Sequence, residues 1–197
     1  MNWNYIKSKL DTLQMSDLRK FLYAEEMMKN SFSDLIKIAD YLRVSKKYKA
    51  TLNLTDVIFG KCPTCVELVT LLDLRCKLYW DSSCYKDTIV CCSLLIDIDP
   101  KKQDKYYNNR GCVYWELGDY KSAMHDFQES IKINPVNKFA LRGAGEMFLL
   151  EKSYDEAIHY FQRALAVDPT PVRISHVNYF ITCLYSNNSG IKSMSSI

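Results

Sequence analysis

The sequence predicts an all-α fold, a solenoid built from repeated pairs of helices. Three observations lead there. Glycine and proline are scarce, at 6 and 5 of 197 residues, which disfavours a turn-rich β fold. Apolar residues recur at helical spacing along most of the chain. Most telling, the segments Asp104 to Pro135 and Lys138 to Pro169 align with an offset of 34 residues. Gly111 then meets Gly145, Tyr120 meets Tyr154, Ala123 meets Ala157, Phe127 meets Phe161, Ile131 meets Leu165 and Pro135 meets Pro169.

Each aligned segment contains two amphipathic stretches, helix A and helix B, joined by a short polar turn (LGDY, EKSY). The closing proline cannot continue helix B, and so ends it. This pattern resembles the tetratricopeptide repeat (TPR), a unit of 34 residues with small side chains at positions 8, 20 and 27, aromatics at 4, 11, 17 and 24, and proline at 32. The resemblance implies a right-handed superhelical solenoid of helix-turn-helix units. It covers about 140 of the 197 residues and specifies fold far more strongly than function.

Taken in chain order, residues 1–31 carry apolar positions at helical spacing (Trp3, Ile6, Leu10; Leu18, Phe21, Leu22, Met28) and are expected to form one or two N-terminal helices. A first, degenerate unit is assigned to 32–65. Its helix A is SDLIKIADYLRV with Ala39 at position 8, and Tyr48, Thr51, Ile58 and Pro63 follow at positions 17, 20, 27 and 32. The second unit, 69–102, has helix A from VTLLDLRCKLYW and then Tyr85, Thr88, Cys92, Leu95 and Pro100, with a short insertion separating it from the first. Units three and four span 104–137 and 138–171. Val172, Val177, Phe180, Ile181 and Leu184 share one face of an expected capping helix over 172–186, which a solenoid needs to cover its last apolar surface. The tail 187–197 is polar and expected to be disordered.

Composition narrows the function classes. A net charge of +3 provides no electrostatic footprint for nucleic acid or for an anionic membrane. No apolar run approaches the roughly 20 residues a membrane-spanning helix needs, and the charged start has no signal-peptide core. The expected location is the cytoplasm, with the eight cysteines as free thiols. No nucleophile elbow, phosphate loop, dinucleotide fingerprint or zinc-protease motif is present, so no enzyme, catalytic residue, cofactor or metal site is expected. His125 and His159 both fall at position 22, on the outer surface of helix B, and are read as solvated. Cys62-Pro63-Thr64-Cys65 has redox or zinc spacing, but no second pair stands at ligand distance. It is read first as the corner between repeats, and as a thiol or zinc site only in the alternative. Arg43, Lys46, Lys47 and Lys49 are read as a solvated basic turn.

Stacked helix A faces form a concave groove suited to a peptide or helix of a partner protein. By resemblance, positions 2, 5, 9, 12 and 13 line it, with position 6 adjacent. The groove candidates are therefore Lys77 and Trp80 in unit two, Lys105, Asn108, Asn109, Cys112 and Trp115 in unit three, and Phe139, Arg142 and Glu146 in unit four. Asp73, Asp81, Glu116, Leu149 and Leu150 occupy further groove positions. Trp80 and Trp115 read equally well as side chains packed on neighbouring helices. Some TPR co-chaperones clamp a C-terminal carboxylate with Lys at 5 and Asn at 9, then Asn at 6, then Lys at 2 and Arg at 6. Only Asn109 matches, because Asp73, Lys77, Phe139 and Gly143 fill the other slots. A protein-interaction scaffold is the reading, with an atypical co-chaperone as its alternative.

Overall fold

The computed structural model describes residues 31–60 and 64–169. The expected N-terminal helices, Cys62 and Pro63, the capping helix at 172–186 and the tail lie outside the described residues. Among the described residues every regular element is helical. The α-helices are α1 (Phe32–Val44), α2 (Tyr48–Gly60), α3 (Cys65–Asp81), α4 (Tyr85–Ile98), α5 (Gln103–Glu116), α6 (Tyr120–Ile133), α7 (Lys138–Leu150) and α8 (Tyr154–Val167), with a 3-10 turn at Pro100–Lys102. The chain divides into two compact units at Ile98 and Asp99.

In the first unit α1 packs on α2 and α3 on α4, and α3 also contacts both helices before it. Leu35, Ile38, Ala39, Leu42, Ala50, Leu54, Ile58, Leu71 and Leu74 form one buried cluster. Two threonines occupy repeat position 20, where the later repeats have alanine. Thr51 and Thr88 are fully buried, and each donates its hydroxyl to the carbonyl four residues back, Lys47 and Cys84, at 3.1 Å. That bond lets a polar side chain fill a small apolar slot without an unsatisfied donor.

Helix α3 starts at Cys65, earlier than the sequence reading placed it. The three residues read as an insertion instead lengthen the helix. The cause is a capping box: the Thr64 hydroxyl accepts from the Glu67 N–H, and the Glu67 carboxylate accepts from the Thr64 N–H at 2.8 Å. Arg43 also departs from expectation. It is largely buried and pairs with Asp40 at 2.9 Å and with Asp81 of α3, so it ties two helices together and is not a solvated turn residue.

In the second unit α5 pairs with α6 and α7 with α8, and α7 also packs on α5 and α6. Its core holds Ala123, Phe127, Ala140, Ala144 and Met147. The Phe127 ring lies between two glycines. A Cβ on Gly111 would come within 3.0 Å of that ring, and one on Gly143 within 2.6 Å. Gly145 bears the same relation to Phe161, at 2.8 Å. Close helix approach thus depends on bare backbone meeting an aromatic ring. Across the α5–α6 pair, Arg110 holds Asp126 through two bonds of 2.7 and 2.9 Å, with Asp126 only 1% exposed. The bond to Asp126 raises the guanidinium pKa further above its ordinary value.

Candidate functional site

The groove candidates fall in both units and are described unit by unit. In the first, Lys77 makes an i, i+4 ion pair of 2.8 Å with Asp73, its neighbour one turn earlier on α3. Trp80, near the end of α3, lies edge-on to Tyr85 at 6.1 Å and stays partly exposed. The two clamp-slot residues of this helix are therefore engaged with each other.

In the second unit the N-terminal halves of α5 and α7 enclose a cleft of about 590 Å³. Lys105, Asn108 and Asn109 reach it from α5, and Lys138 and Phe139 from α7. Asp104, Asn134, Val136, Asn137 and Val167 complete the wall. Four of the ten predicted groove residues thus converge on one cavity.

A polar network builds that cleft. Asn137 caps α7, its side-chain oxygen accepting from the Phe139 and Ala140 N–H groups at 3.2 and 3.3 Å. Its amide nitrogen donates to the Asp104 carboxylate at 3.2 Å and to the Ser130 hydroxyl at 3.1 Å. Asn134 donates to the same Asp104 oxygen at 2.8 Å, and Ser130 donates to the Asp104 carbonyl at 2.7 Å. The corner between α6 and α7 is thereby fastened to the start of α5. Lys138 is committed to Asp168 at 2.7 Å and lies over the Phe139 ring at 5.2 Å. Lys105 lies 5.4 Å from the centre of the Tyr106 ring.

Asn108 differs from these neighbours. It is 8% exposed, and its Oδ1 is buried without a hydrogen-bond partner. Beside it the apolar side chains of Val136, Phe139 and Val167 are all substantially exposed. Sequence reasoning found Asn108, Asn109 and Phe139 but missed Asp104, Asn134 and Asn137. The signal available was an asparagine two residues after a proline and just before a helical stretch, the usual N-cap pattern.

The remaining candidates lie along the same two helices. Cys112 is half-buried, and burial pushes its thiol up to about 11, against the pull of the nearby Arg142 charge. Arg142 approaches Glu146 to 3.5 Å. Burial raises the Glu146 pKa above its ordinary value, and the Arg142 charge partly opposes that. Trp115 packs on the Phe127 cluster and edge-on to Tyr120 at 5.9 Å, serving the helix pair. The clamp slot at Gly143 faces the Phe127 ring, so any side chain there meets the core before it reaches a ligand.

His125 and His159 are both exposed on the B helices. Cys65 is exposed at the first turn of α3. Cys76 and Cys92 are buried with their sulfurs 3.2 Å apart, and burial pushes the Cys91 thiol up to about 12. Among the described residues, no group of three or more His, Cys, Asp or Glu is placed to hold a metal ion, and no helix is long and apolar enough to cross a membrane.

Comparison with known proteins places this geometry. Models of the tetratricopeptide repeat match residues 105–137 and 144–171. Human tetratricopeptide repeat protein 6 is 32% identical over 65 residues, 33% of this chain and 12% of that protein, so the chain spans a small part of its length. Among solved structures, BtubC from P. vanneervenii has a TM-score of 0.70 at 13% identity, covering 96% of this chain and 85% of that one. The first TPR domain of Spaghetti (RPAP3), solved bound to the HSP90 peptide SRMEEVD, has a TM-score of 0.53 at 19% identity, covering 59% of this chain and 93% of that one.

Proposed function

From the premise that this chain is a tetratricopeptide-repeat protein, we propose that it acts as an interaction scaffold or adaptor, holding a peptide or helix of a partner protein against its A helices. It is a binding module in this reading, and no chemistry is assigned to it. The observation that carries the reading is the cleft between α5 and α7, where four groove candidates meet. Its walls are held by hydrogen bonds before any ligand arrives, and such preorganisation lowers the ordering cost of binding. The RPAP3 domain, bound to a peptide, supports the same use of the fold.

The test uses the full chain. Its partner is captured, identified by mass spectrometry, and titrated against variants on the two faces. Asn109→Ala or Arg142→Ala is expected to weaken binding by about 1–3 kcal/mol, the range for leaving a buried hydrogen-bonding partner unsatisfied. His125→Ala and His159→Ala, on exposed B-helix positions, are expected to leave affinity unchanged. Loss of the partner only in the histidine variants would place recognition on the outer surface and overturn the proposal.

A further inference from the structure

The second repeat fills one packing slot differently from the two repeats that follow it. At repeat positions 8 and 24 the later repeats set a glycine against an aromatic ring, Gly111 on Phe127 and Gly145 on Phe161. The second repeat has Cys76 and Cys92 there. Cys76 lies on α3 and Cys92 on α4, 4% and 0% exposed, with their sulfurs 3.2 Å apart. Closing that gap to a covalent bond takes about 1.2 Å, since bonded sulfurs stand roughly 2.05 Å apart. A shift of that size is small beside what a change of side-chain torsion moves a sulfur. Cys91, next along α4, is turned about 100° around that helix, and the sulfur contact of Cys76 goes to Cys92.

While α3 and α4 stay packed, the pair is shielded from solvent, whereas Cys65 and Cys84 are exposed. Exchange at the pair therefore takes place when the two helices part, as packed elements of a repeat do at equilibrium. One thiol, as its thiolate, then attacks a low-molecular-weight disulfide of the glutathione type, whose S–S bond breaks and releases one small thiol. The second thiolate attacks the mixed disulfide and displaces the other small thiol. The protein gives up two electrons and two protons, and the small disulfide is reduced to two thiols. Repacking carries the new bond into the core, where a reductant reaches it only at the next opening.

We propose that Cys76 and Cys92 form a reversible disulfide latch, a redox switch that ties helix A of the second repeat to its helix B. Oxidising surroundings close the latch, and its state sets how often α3 and α4 part. Helix α3 also carries Lys77 and Trp80, so the latch fixes a helix of the groove face. It acts independently of what the groove binds.

In the experiment the full chain is unfolded in urea, refolded in a buffer of reduced and oxidised glutathione, alkylated and mapped by mass spectrometry. A peptide linked through Cys76 and Cys92 is expected, with Cys65 and Cys84 recovered alkylated or glutathionylated. The linked chain should melt roughly 10 °C above the reduced one, because the bond joins residues 16 apart and restrains the unfolded chain. Dithiothreitol should remove that difference. Amide exchange across 64–98 should slow on oxidation and recover on reduction. Cys92→Ala should erase the oxidised-minus-reduced difference whatever its own stability, and Cys91→Ala should keep it. Added to the folded chain, oxidised glutathione should block Cys84 first and link the pair more slowly, at a rate that rises in low urea. A pair that stays reduced on refolding, Cys76 linked to Cys91 instead, or a linked chain that melts no higher than the reduced one would overturn the proposal.

Discussion

Gly143 is the position where one missing side chain decides how closely α7 packs on the Phe127 ring. A Cβ there would stand 2.6 Å from the Phe127 ring, which is held among Ala123, Ala140, Ala144 and Met147. Alanine is the better helix former by about 1 kcal/mol, but forcing extra volume into a packed core costs about 1–3 kcal/mol. Gly143→Ala should therefore lose about 1 kcal/mol net in urea unfolding. Phe127→Leu in the same chain should recover part of that loss, because the two positions share one space. A Gly143→Ala chain more stable than the native one would show that the ring yields freely. The same crowding explains why a clamp arginine does not belong at this position.

The four turns between helices A and B share one construction. Lys46, Ser83, Gly118 and Lys152 each take the middle place of a three-residue link with φ of 58, 58, 77 and 61°. In each, the following N–H reaches back five residues: Lys47 to Leu42 and Asp119 to Tyr114 at 2.9 Å, Cys84 to Tyr79 at 2.8 Å, Ser153 to Phe148 at 2.9 Å. This is a helix C-cap that favours glycine, yet only Gly118 is one. A side chain in the left-handed region costs about 1–2 kcal/mol, partly offset by its lower entropy when unfolded. Lys152→Gly should thus raise stability by about 0.5–1 kcal/mol, and Gly118→Ala should lower it by a similar amount. Circular dichroism melts of both variants check this, and a reversal of either sign would rule the account out.

At the scale of the whole molecule, the division at Ile98 and Asp99 separates two sets of helices, each with its own buried cluster. Repeat proteins open in blocks set by nearest-neighbour packing. Native-state hydrogen exchange should show two cooperative groups of amides, 31–98 and 99–169, and Gly143→Ala should lower protection chiefly in the second. Uniform loss of protection through both groups would show a single cooperative block. Placing the cleft in the second unit alone makes this separable from the first unit's thiol-lined core at Cys76 and Cys92.

The repeat was legible in the sequence because its signals are local and periodic. Gly111 and Gly145, Ala123 and Ala157, Phe127 and Phe161 lie 34 residues apart, and each pair does the same packing work. Helix α3 was only partly legible, since apolar spacing marks where a helix packs and not where its cap begins. Arg43 was misread because a basic turn looks solvated until Asp81 arrives from another helix. Residue type and position along the chain determined the fold, the helix pairs and the list of residues on the A helices. Which of those residues share a cavity, and which acceptor among them stays unpaired, only tertiary structure decided. Hydrogen-bond satisfaction depends on partners 7 to 33 residues away, as around Asp104, Ser130 and Asn137, and no periodicity encodes that distance.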